Sequence, residues 1–138
     1  MTMRSRRAFI GSLAAGAVSV LLAPRLARAV AGPGPAHPTP RPGITGAKVL
    51  TAAQLGKSAH LVPLFDGIRA IPAIADGIRC HCGCADLPGF YSLLSCFEGD
   101  AMARSCPICQ GEGRVAVRLH KEGKTLDEIR AAIDAQWG

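Results

Sequence analysis

RCHCGCADLPGF, Arg79 to Phe90, is the stretch on which the reading of this chain turns. Cys80, Cys82 and Cys84 stand at every second position, with His81 and Gly83 between them. In an extended chain every second side chain falls on one face, roughly 6.6 Å from the last at ~3.3 Å per residue. A curl at Gly83, which tolerates backbone that other residues do not, brings three sulfurs towards one point. Further on come Cys96 and a Cys106-Pro-Ile-Cys109 pair, six cysteines in all. Cys106 and Cys109 are three apart at an expected helix start, so they share a face. Free N–H groups and the helix dipole favour the thiolate there.

Two convergent groups of thiolates suit a soft metal: Cu(I), Zn(II) or an iron–sulfur cluster. The spacing is not that of a zinc finger, and Gln110 stands where a c-type haem site needs histidine. Two other readings remain open. One is a structural or interaction module stapled by three disulfides, each of Cys80, Cys82 and Cys84 pairing outside the strained C-x-C. The other is a thiol–disulfide oxidoreductase using Cys106 and Cys109, although no βαβ context surrounds them. His81 is an added candidate ligand, but in extended chain it points away from its cysteine neighbours. His120 lies about 16 Å along a helix from Cys109 and cannot share its metal. His60 and Met102 are read as a surface and a core residue. Asp86, Glu98 and Asp100 read as loop and cap residues, and no nucleophile–base pair points to an enzyme.

Outward from the cysteines the pattern is helical. Thr51 caps a short helix. Leu64, Ile68, Ile71 and Ile74 recur at helical spacing, and Pro63 and Pro72 each fit a first turn, so this stretch is one kinked helix or two short ones. FYSLLSCF fits either a strand or helical turns. Ser105 is an expected N-cap, with Pro107 in the first turn and Ile108, Val115 and Leu119 as the apolar stripe. Gly111 and Gly113 weaken that helix, and Gly123 stops it. Thr125 and Glu128 form a capping box for a last helix with Leu126, Ile129, Ile133 and Trp137 on one face. The expected fold is mainly α: a small cysteine-rich helical domain with an irregular cysteine-bearing loop. Only six aromatic residues serve the whole chain, and a core so poor in large groups calls for a staple of disulfide or metal.

The 138 residues carry a formal charge of +6, but Arg4, Arg6, Arg7, Arg25 and Arg28 supply most of it. Beyond residue 30, eleven basic residues face ten acidic ones, which argues against a nucleic-acid partner. The basic start, the apolar run Ala8–Ala23 and the Ala27-Arg28-Ala29 end read as a signal peptide over 1–29. Twin Arg6-Arg7 points to the Tat route and to the periplasm or exterior. The apolar run is shorter than the ~20 residues of a spanning helix, so a membrane is a partner only if the signal stays uncleaved. Residues 30–47, with five prolines, read as a disordered tether, and 48–138 as the domain.

Around the cysteines the sequence resembles the exported bacterial proteins named for a PCYCGC motif. Arg79-Cys80-His81-Cys82-Gly83-Cys84 matches that motif, with arginine for its proline and histidine for its tyrosine. Ser92-Leu93-Leu94-Ser95-Cys96-Phe97 is similar to the family's SLLxCF element. Cys106–Cys109 and the end KEGKTLDEIRAAIDAQWG also match, over about Leu61 to Gly138. Many members look like lipoproteins; here no cysteine lies near the cleavage site, the first being Cys80. The resemblance implies an exported domain whose six cysteines act together. The metal is inferred from the cysteines themselves, with an exported or membrane metalloprotein as the partner for binding, buffering or delivery.

Overall fold

A computed structural model describes residues 36–138. The expected signal segment and residues 30–35 lie outside the described residues. The described chain is mainly helical, with no strand among the described residues and one isolated bridge between Val49 and Glu98. Its helices are α1 (Ala52–Leu55), α2 (Val62–Ala70), α3 (Pro72–Asp76), α4 (Pro107–Lys121) and α5 (Leu126–Trp137). Short 3-10 turns fill Gly56–Leu61, Cys84–Asp86, Leu93–Phe97 and Met102–Arg104. No described helix is long and apolar enough to cross a membrane.

Local chemistry explains the boundaries. Thr51 and Gln54 form a capping box at α1, as Thr125 and Glu128 do at α5, each satisfying otherwise orphaned N–H groups. Pro72 cannot continue α2, so the chain breaks at Ile71 and restarts as α3. FYSLLSCF resolves as the 3-10 turn Leu93–Phe97 rather than a strand. At the end of α4, Lys124 N–H donates to Leu119 C=O and Gly123 N–H to His120 C=O, with Gly123 at φ 79°. That double bond pattern needs a left-handed residue, which glycine adopts without a Cβ clash. One expectation shifts by a residue: Cys106, not Ser105, caps α4, its sulfur accepting the N–H of Cys109.

α4 is the hub, packing on α2, α3, α5 and the turns at 93–97 and 102–104. Its deepest face is Cys109, Glu112, Gly113 and Ala116. The expected stripe of Ile108, Val115 and Leu119 is only half-buried. Two glycines make this rotation possible. A Cβ at Gly113 would lie 2.8 Å from Phe97, and one at Gly111 would lie 2.7 Å from Trp137. Phe97 also packs edge-on against Phe65, centroids 4.8 Å apart, among buried Leu55, Leu61, Ile68, Ile78, Ile129 and Ile133.

The folded part begins earlier than Lys48. Residues 36–47, the described portion of the expected tether, form a strap fastened to the domain. His37 bonds Asp134 of α5, Arg130 donates to Pro38 C=O, and Tyr91 O–H donates to Thr39 C=O. Arg41 grips buried Asp76 through Nε, Nη2 and its backbone N–H. Proline-rich composition removes backbone donors but does not prevent side chains and carbonyls from docking.

Candidate metal centre

Three segments bring the six sulfurs together. Gly83, at φ 88°, turns the chain between Cys82 and Cys84, giving the curl expected of it. Leu93 N–H donates to Ile78 C=O at 2.8 Å, closing the loop and seating it over the turn that carries Cys96. Cys109 enters from the first turn of α4. Ala101 takes a left-handed φ of 41° and swings Met102–Arg104 back onto α4, where Gln110 Nε2 donates to Ala103 C=O.

The result is a contiguous patch of sulfur. Cys80, Cys84, Cys96 and Cys109 have all their sulfurs within 4.8 Å of one another, and all four are buried. Cys82, Cys106 and Cys109 form a second such group, with Cys82 and Cys106 half-buried. Individual separations are 3.4 Å for Cys80–Cys82, 3.5 Å for Cys80–Cys109, 3.5 Å for Cys82–Cys109 and 3.1 Å for Cys84–Cys96. Four thiolates bound at ~2.3 Å around one tetrahedral ion stand about 3.8 Å apart. A disulfide needs ~2.05 Å. The spacing therefore matches ligands of a common ion more closely than bonded pairs, and all six are free thiols.

Electrostatics makes the buried thiols resist ionisation. The bond to Cys109, and then burial, hold the Cys80 thiol far above its ordinary value. Cys96 and Cys109 shift the same way. Cys109 favours ionisation of Cys96, and Cys80 favours that of Cys109, but in each case a second sulfur and burial outweigh the help. The helix start was expected to favour a Cys109 thiolate; being packed among other sulfurs reverses that. Sulfurs so close in a dry site cannot ionise together unless a positive charge joins them.

His81 does not join the sulfur groups. Its Nδ1 lies 2.7 Å from Glu112 Oε1 and its Nε2 3.2 Å from Asp134 Oδ1, so both ring nitrogens face carboxylates. Its backbone N–H also donates to Glu112 Oε1. His37 reaches the same Asp134 and accepts the N–H of Arg79 through Nδ1. Sequence reasoning missed Glu112, which is fully buried with Oε2 unpartnered among the described residues. Its one signal was its place three residues after Cys109, on the same helix face. Met102, read as core, puts its Sδ 3.8 Å from Cys82 Sγ. His60 and His120 are exposed, as expected, and Asp86 pairs with Arg79 at the surface. A hollow of about 510 Å³ between α2 and α4 is lined by no cysteine. A smaller one of about 230 Å³ is lined in part by Arg79, Cys80, His81 and Trp137.

Fold and site together define a class: a small helical domain built around a buried cysteine cluster that can hold a metal ion. No family model matches the chain, nor does any curated protein or solved structure.

Proposed function

We propose that this chain is an exported protein that binds a soft metal ion, Cu(I) or Zn(II), through clustered cysteine thiolates, for binding, buffering or delivery outside the cytoplasmic membrane. One observation carries the reading: four buried sulfurs from three chain segments lie within 4.8 Å of one another. The donor set is pure sulfur, which selects soft metals over Mg²⁺ or Ca²⁺. Export by the twin-arginine route fits this chemistry, because that route carries folded proteins and lets the metal load while thiols are still reduced. The resemblance to PCYCGC-motif proteins supports export and joint action of the cysteines. Delivery implies an exported or membrane metalloprotein as recipient.

The test is to purify the full chain without chelator, measure bound metals by elemental analysis and titrate free thiols. Bound copper or zinc, with thiols that become reactive only after the metal is removed, is the expected result. A metal-free chain about 2 Da lighter per oxidised pair would replace this reading with a disulfide-stapled module. Thiol–disulfide exchange draws on a separate observation, the half-buried Cys106 sulfur accepting the Cys109 N–H at 3.5 Å. It predicts that Cys106 and Cys109 alone cycle with glutathione or thioredoxin-type reductants.

A further inference from the structure

We infer that the cluster holds two Cu(I) ions bridged by the Cys109 sulfur, the second in an outer position made by Cys82, Cys106 and Cys109 with the Met102 thioether beside it. This rests on the soft-metal reading above and extends it from one ion to two. Cys109 belongs to both groups of mutually close sulfurs. A tetrahedral ion takes four ligands, which Cys80, Cys84, Cys96 and Cys109 supply. A single ion there leaves Cys82 and Cys106 unused, although both lie in the second group. A thiolate has lone pairs enough to bind two metals, and Cys109 stands where both positions need a ligand.

The donors name the outer metal. Three thiolates with a thioether sulfur at 3.8 Å from Cys82 form an all-soft set, which suits Cu(I). The two positions differ in exposure. The inner four cysteines are buried, while Cys82, Cys106 and Met102 are half-buried. The outer ion is therefore the one that exchanges with a partner, and the inner ion is the one retained. No electron changes hands on loading. Each thiol that binds Cu(I) gives its proton to solvent, and metal and sulfur keep their oxidation states.

The experiment loads the fully reduced full chain anaerobically with Cu(I) supplied as its acetonitrile complex against a competing chelator, and counts copper by native mass spectrometry. Two ions are expected, the second released first as chelator rises. Cys106→Ser should hold one. Serine is itself a strong N-cap, so α4 keeps its start. Cys82→Ser, on the loop, should give the same count by an independent route. Met102→Leu should keep two ions but weaken the second about tenfold, the loss of one weak donor. A wild-type chain that saturates at one copper overturns this inference and leaves the proposed function standing. No copper at all overturns both. Two retained ions in both Cys106→Ser and Cys82→Ser refute the outer position.

Discussion

Asp76 and the cysteine cluster are both polar groups buried in a small apolar core, and they are satisfied by opposite means. Asp76 is completed by the protein. Arg41 gives it three bonds and Ser92 O–H a fourth at 2.8 Å. Burial alone would raise its pKa, but the Arg41 and Ser92 bonds win and hold it below the usual carboxylate range. Among the described residues no cation is bonded to the cysteines. Their neighbours are other thiols, and the nearest buried carboxylate, Glu112, disfavours Cys80 ionisation further. A closed ion pair serves the fold. A cluster of buried thiols whose charged form has no counter-charge among the described residues could hold a metal ion in that place.

The largest effect that sharpens this contrast is metal loading. An ion bound only by the folded state at a thousandfold excess over its Kd adds about 4 kcal/mol to apparent stability. Calorimetry of the chain with Cu(I) or Zn(II), before and after chelator, should show that gain and its reversal. Next is Asp76→Ala, which removes the centre of the closed pair. Breaking a buried pair costs about 3–5 kcal/mol. The lower end applies here, because the Arg41 side chain is 43% exposed and rehydrates. Denaturant unfolding measures the loss, and metal content per chain should not change. If Asp76→Ala abolished binding instead, the two assemblies would not be separate.

The third effect is a pH dependence. Cys80, Cys96 and Cys109 are raised above the ordinary thiol range. The unfolded chain therefore loses these protons first, and the stability they confer is present below about pH 8.5 and lost as pH climbs above it. For the metal-free chain the fall is up to about 1.4 kcal/mol per pH unit for each thiol. The loaded chain, with its ligands already deprotonated, should lack that fall. Urea midpoints at pH 7 through 10 test this. The smallest effect is Glu112→Gln, since Glu112 stands between the two cases, anchored to His81 through one oxygen and unpartnered at the other. Gln keeps an acceptor for the His81 N–H, so the cost should be about 1 kcal/mol in unfolding. Cu(I) affinity should not fall, because Glu112 is not a ligand.

How far the sequence could be read divides along a similar line. Local signals gave the cap at Thr51, the capping box at Thr125, the break at Pro72, the Gly123 stop and the buried Ile129–Ile133 face. These depend on residues within a turn of each other, and the chain writes them openly. The cysteines were also legible as a group, since alternate spacing plus Gly83 already implied convergence. What the pattern concealed depends on distant partners. The strap over 36–47 was hidden because its partners, Asp76, Tyr91, Arg130 and Asp134, lie far along the chain. The inner face of α4 was misassigned to Ile108, Val115 and Leu119 because hydrophobicity cannot reveal that Gly113 admits Phe97. Neither can it show that Glu112 is tolerated inside by His81. Met102 looked like ordinary core until the turn at Ala101 set it beside Cys82.

The central claim is that sulfur atoms from separate segments bind one soft-metal centre. X-ray absorption at the copper or zinc edge of the loaded full chain tests it most directly. The account predicts a first shell of three or four sulfurs at about 2.3 Å with no nitrogen or oxygen scatterer. A shell containing imidazole nitrogen or carboxylate oxygen would contradict it, because His81 and Glu112 are placed outside the ligand set.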